Sequence, residues 1–82
     1  MPTLLRILGY RVQIFTNDHS PPHVHVEKTS GPSCVFELNC PRGPLRLRTV
    51  KGRMSDRTIV RLAELIEPEI ERLCWEWRHI HG

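Results

Sequence analysis

Apolar and polar positions follow one rhythm up to about residue 54 and another from Ser55 onward. Thr3–Leu8 is a short apolar segment with Arg6 inside it, which suits a strand. In Tyr10–Thr16, Tyr10, Val12 and Ile14 alternate with Arg11 and Gln13, the period-two pattern of a half-buried strand. Gly9 between the two segments marks a turn or bulge. Asn17–Pro22 reads as a loop, because Asn, Asp, Ser and Pro-Pro all favour turns. Pro22 has no N–H for a ladder, so a strand begins at or just after it and runs over His23–Lys28. After the turn at Thr29–Ser33, residues Cys34, Phe36, Leu38 and Cys40 share one face, with Val35, Glu37 and Asn39 opposite. Pro41-Arg42-Gly43-Pro44 turns the chain once more. Leu45 and Leu47 then oppose Arg46 and Arg48. Short strands joined by tight turns favour an antiparallel meander.

From Ser55 the period becomes helical. Ser55 suits an N-cap and Asp56 suits the positive end of the dipole. Ile59, Leu62, Ala63, Ile66, Ile70, Leu73 and Trp77 recur at spacings of three and four, one apolar stripe. Pro68 deprives the Glu64 carbonyl of its helical partner. Ile66 and Ile70 stay in phase across it, which predicts one kinked helix rather than two. Trp77 continues the stripe, whereas Trp75 falls about 160° away around the helix. Trp77 is therefore expected inside and Trp75 outside. The end after Trp77, with His79 and His81, is expected to fray. The fold class is α+β: a curled antiparallel sheet of four to five short strands, with one long C-terminal helix, kinked near Pro68, packed on one face. Residues 1–82 form one domain, a β-meander over 1–54 and a helix over 55–80.

An 82-residue chain buries roughly 60–65% of its unfolded surface, enough for one modest core. No stretch approaches the ~20 apolar residues of a membrane span, and no signal-peptide pattern opens the sequence. Cys34, Cys40 and Cys74 are odd in number and lack a Cys-x-x-Cys pair, so they read as reduced, cytosolic thiols, two of them in the core. The net charge of +3 is unevenly divided: residues 1–54 hold eight Lys/Arg against three Asp/Glu, and residues 55–82 hold four against six. A basic sheet could meet the acidic helix or an external polyanion.

The densest chemistry lies in Asn17-Asp18-His19-Ser20-Pro21-Pro22-His23-Val24-His25, with three of the five histidines inside seven residues. On a strand His23 and His25 project from one face, opposite Val24 and Val26. If the valines face the core, the histidines face solvent, with Glu27 continuing their row, His19 able to fold back over them and Asp18 close by. Three chemistries fit. Acid–base catalysis on a phosphodiester would use His23 and His25, with Arg46 or Arg48 holding the phosphate. A metal site would use His23, His25 and Glu27 for zinc; with no cofactor as the favoured reading, this stays an alternative. Anion or nucleic-acid binding needs no chemistry. The structural alternative is that His19 and His23 bond backbone groups of the Pro-Pro loop, with Asn17 and Asp18 acting as turn formers.

This run resembles the signature of a small bacterial family known as the domain-of-unknown-function family DUF 4160. Met1-Pro2-Thr3 resembles its start, and Glu69, Leu73 and Trp77 resemble its C-terminal helix. Pro68 and Pro41-Arg42-Gly43-Pro44 depart from the pattern. The resemblance implies a bacterial, cytosolic protein, with some members near toxin–antitoxin genes, and implies no established activity.

Arg42, Arg46, Arg48, Lys51 and Arg53 place five cations within twelve residues. With His19, the set Arg46, Arg48, Lys51 and Arg53 forms the candidate phosphate or nucleic-acid binding residues. Aromatic interleaving is absent, so base stacking is not expected. The alternative is a sheet edge protected by charge. The expectation is a small cytoplasmic protein, with a toxin–antitoxin link implied by the resemblance, that binds or acts on a phosphate-bearing or nucleic-acid partner. Its alternatives are a histidine-based metal-binding or phosphodiester-cleaving domain, or a protein–protein adaptor. Whether it is an enzyme stays open. No membrane partner is expected, and a homodimer through the C-terminal helix is one possible assembly.

Overall fold

The computed structural model describes residues 3–81. Five strands, β1 (Leu5–Ile7), β2 (Tyr10–Gln13), β3 (His23–Glu27), β4 (Ser33–Glu37) and β5 (Arg46–Lys51), are followed by helix α1 (Asp56–Ile66) and helix α2 (Ile70–His81). The strands form one open antiparallel sheet in chain order β1-β2-β3-β4-β5. Strands β1 to β4 are shorter than the alternating pattern suggested, because the pattern continues into turn residues, whereas β5 runs on past Arg48 to Lys51.

The β1–β2 connection is a two-residue turn, Leu8 and Gly9, with φ of 53° and 80°. Both residues are left-handed, the combination whose twist matches the flanking strands. Gly9 takes this conformation without a Cβ penalty, and Ile7 pairs Tyr10 across it.

Register then decides which face is buried. Val12 pairs Val26, Val26 pairs Cys34, and Val24 pairs Phe36. These five side chains lie on one face and all are buried. The helical stripe covers them: Leu62, Ile66, Ile70, Leu73 and Trp77 complete the same core, with Ile59 and Ala63 packed at its margin. The cover stops short of β5, all six residues of which are exposed. A register shift opposite Val35/Phe36 bulges this edge strand.

Ser55 caps α1, its Oγ accepting from the Thr58 N–H at 3.1 Å. Pro68 lies in a 3-10 turn, Glu67–Glu69, that joins α1 to α2. The apolar stripe keeps its phase across this turn, so the C-terminal segment is one kinked helix. Trp77 is 5% exposed and Trp75 48%, as the helical phase requires.

Two expectations fail. The cysteines are not all free thiols: Cys40 and Cys74 form a disulfide with Cα atoms 5.8 Å apart. Their separation of 34 residues in sequence concealed the pairing. Cys34 alone remains a thiol, and burial pushes its pKa up to about 11. The C-terminal end also does not fray. Helix α2 continues to His81, whose ring lies 3.0 Å from the Trp77 carbonyl through Nδ1 and 3.2 Å from the Phe15 carbonyl through Nε2.

Trp77→Ala is expected to cost about 3–5 kcal/mol in urea denaturation, as a core truncation. Trp75→Ala is expected to change stability by no more than about 0.5 kcal/mol. Reduction of Cys40–Cys74 is expected to lower stability by up to ~3–4 kcal/mol, the loop-closure value for this spacing. A thiol titration of the denatured, unreduced chain should count one reactive cysteine.

Candidate functional site

The loop from β2 to β3 is tied at Asp18. The Phe15 N–H donates to Asp18 Oδ2 at 2.9 Å, and the Asp18 N–H donates to the Phe15 carbonyl at 3.1 Å. This reciprocal pair closes a tight turn and points the carboxylate back at β3. His25 Nε2 lies 3.0 Å from Asp18 Oδ1 and 3.1 Å from Oδ2. His23 Nε2 lies 3.5 Å from Oδ1. Asp18, His23 and His25 thus bring three metal-capable atoms within 4.8 Å of one another.

His23 and His25 share a strand face opposite Val24 and Val26, as the alternation implies. The further expectation, that both face solvent, fails for His23, which is buried at 5% exposure. It sits at the start of β3, where α2 wraps the end of the sheet, and its ring lies 5.2 Å from that of Trp77. Its Nδ1–H donates to the Pro21 carbonyl at 2.8 Å, the backbone contact that the structural alternative described. His25 keeps partial access; the Phe15 ring lies 4.3 Å from its own.

The remaining site residues separate. His19 is exposed in the loop and stands outside the group of converging atoms. Glu27 is likewise outside it, so the carboxylate beside the two histidines is that of Asp18. Glu27 instead pairs Arg11 and Ser33 across the open face. With His25, Ser33, Val35, Thr49 and Lys51 it lines a shallow groove of about 140 Å³. Asp18 was legible as a turn former close by the histidine row, but nothing in its spacing marks it as the carboxylate that reaches both rings.

The basic set divides in the same way. Lys51 pairs Ser33 and Arg46 pairs Glu37 on the open face, and Arg48 approaches Glu37 at 3.9 Å. Arg53 is exposed just beyond β5. Arg42 is drawn away to Glu71 at 3.6 Å. The hairpin adds two cations that the sequence reading passed over: Arg6 and Arg11 are direct cross-strand partners on the same open face.

Burial works to raise the pKa of Asp18. The Phe15 N–H, the His25 hydrogen bond and the charges of His25 and His23 outweigh it and hold the carboxyl below its ordinary value of 3.8.

The molecule is thus a five-stranded meander covered on one face by a kinked helix, with a carboxylate and two imidazoles gathered at the seam. Residues 9–78 match the family model described as Domain of unknown function (DUF4160), and the chain belongs to that family. No curated protein and no solved structure matches it. Among the described residues no helix is long and apolar enough to cross a membrane.

A carboxyl more acidic folded than unfolded adds stability that is complete above the unfolded value. That stability is lost as pH falls through the folded one. Asp18→Asn should therefore lower stability at pH 7 and flatten its decline below about pH 4, read by urea denaturation at several pH values. An unchanged acid limb in the variant would exclude this role for Asp18.

Proposed function

We propose that this protein binds a phosphate-bearing polyanion, nucleic acid in particular, across the open face of its sheet. The observation that carries the reading is the charge of that face. Arg6, Arg11, Arg46, Arg48 and Lys51 stand there against Glu27 and Glu37. Arg6 directly opposite Arg11 is a like-charge pair, which costs stability in a free sheet and is relieved by a bound anion. The shallow groove between β3 and β5 gives a phosphate access to Lys51 and His25. Among the described residues the cross-strand partners on this face include no Phe, Tyr or Trp, so contact with the phosphate backbone is favoured over base stacking.

Cleavage of the bound phosphodiester is the second reading, favoured by the 3.0 Å contact between Asp18 and His25. The carboxylate would orient the ring, and His25 Nδ1 would take a proton from the attacking hydroxyl. Burial leaves His23 a positioning role in this scheme. On the same reading the protein is bacterial and cytoplasmic, and a toxin–antitoxin setting rests on the family resemblance. In a reducing cytoplasm the Cys40–Cys74 bond would be open in the cell and would close on isolation; alkylation before lysis that traps both as thiols supports a cytoplasmic home, and a pair already oxidised in the cell overturns it. A homodimer through α2 would use the exposed side around Trp75, and sedimentation of Trp75→Ala would read its loss.

Fluorescence anisotropy with duplex DNA and with RNA tests the binding. Affinity should fall steeply with salt, and each of Arg6→Ala, Arg46→Ala and Lys51→Ala should reduce the log–log slope by roughly one. Salt-independent binding, or no binding at low ionic strength, removes the reading. Intact RNA after incubation with the wild-type protein removes the cleavage reading alone.

A further inference from the structure

His23 is fixed at one ring nitrogen and, while its ring is neutral, mismatched at the other. Its Nδ1 lies 2.8 Å from the Pro21 carbonyl, and a carbonyl oxygen can only accept. The ring hydrogen is therefore on Nδ1. In the neutral ring, Nε2 turns its lone pair toward Asp18 Oδ1, 3.5 Å away. These are two acceptors facing each other, in side chains only 7% and 11% exposed. Repulsion between them is weakly screened there. A positive centre placed between them turns that repulsion into attraction.

Two of the three donor separations suit a metal ion directly, and all three donors lie within 4.8 Å of one another. Donor atoms bound to a tetrahedral ion at about 2.0–2.1 Å lie about 3.3–3.4 Å apart. The two carboxylate–imidazole separations, 3.0 Å for His25 and 3.5 Å for His23, bracket that value. Two imidazoles with one carboxylate are a donor set for first-row divalent transition ions, whereas calcium and magnesium favour oxygen alone. Each buried ligand also has the outer contact that metal ligands usually have. The Pro21 carbonyl sets the tautomer of His23, and the Phe15 N–H orients Asp18.

We propose that Asp18 Oδ1, His23 Nε2 and His25 Nε2 form a three-ligand site for a first-row divalent transition metal, zinc foremost. The fourth position would open on the His25 side, the more exposed of the two rings. As the metal binds His25 Nε2, the ring gives up that hydrogen and carries its one hydrogen on Nδ1 instead, a change of tautomer with no net loss of a proton. The site stands independently of nucleic-acid binding, and its test uses no nucleic acid.

Protein stripped with a chelator and then titrated with ZnCl2 by calorimetry, with Co2+ absorption as a check on geometry, tests the site. One equivalent should bind. His25→Gln and Asp18→Asn should each weaken binding at least about tenfold, while Glu27→Gln and His79→Gln leave it unchanged. In the wild type, Zn2+ should shift the 15N resonances of His23 Nε2 and His25 Nε2. If Asp18→Asn fails to fold, that spectrum decides. Absence of a shift at either nitrogen overturns the proposal, as does binding lost in Glu27→Gln or His79→Gln but kept in His25→Gln. Absence of binding by Zn2+ or Co2+ also overturns it.

Discussion

One helical segment must cover a sheet of five strands, and the architecture follows from that shortage of cover. A chain this small can build a single apolar layer between sheet and helix. The stripe from Leu62 to Trp77 provides one side of it, and the inward residues of β2, β3 and β4 provide the other. Burial in that layer is the main favourable term available to the fold. Everything the helix does not reach has to be compatible with water. The second face of the sheet is therefore polar and charged, and β5 lies uncovered at the edge, bent by a bulge and lined with cations in the manner of protected edge strands.

The candidate site sits where the covered layer ends. Helix α2 runs past the end of the sheet, and Trp77 closes over His23 there. His81 reaches the Phe15 carbonyl, so the helix end and the β2–β3 loop hold each other. Asp18 is fastened to that same Phe15. A carboxylate and a buried histidine are thus held by backbone contacts on two sides, while His25 opens toward the groove on the charged face. The seam gives one protein both a partly desolvated polar cluster and an adjacent basic surface.

Local periodicity made the layers legible. The switch of period at Ser55, the alternation that buries Val24 and Val26, and the phase that places Trp77 inside and Trp75 outside are all properties of neighbouring residues. What could not be read depends on how separate segments meet. The burial of His23 requires knowing that the helix overruns the sheet. The place of Asp18 rather than Glu27 beside the histidines requires the shape of a loop. Arg6 and Arg11 become partners only through a two-residue turn, and Cys40 meets Cys74 only once the kinked helix has been laid back across the meander.

The Cys40–Cys74 bond also gives the chain a topology of its own. It makes a covalent ring of everything between those residues, enclosing β5, α1 and the first part of α2. Strands β1 to β4 hang from one side of the ring as a tail, and the segment bearing Trp77 and His81 hangs from the other. A backbone cut anywhere inside the ring leaves the two tails in one covalent molecule. The ends that build the seam, the β2–β3 loop and the last turns of α2, therefore stay in one molecule even when the ring is nicked.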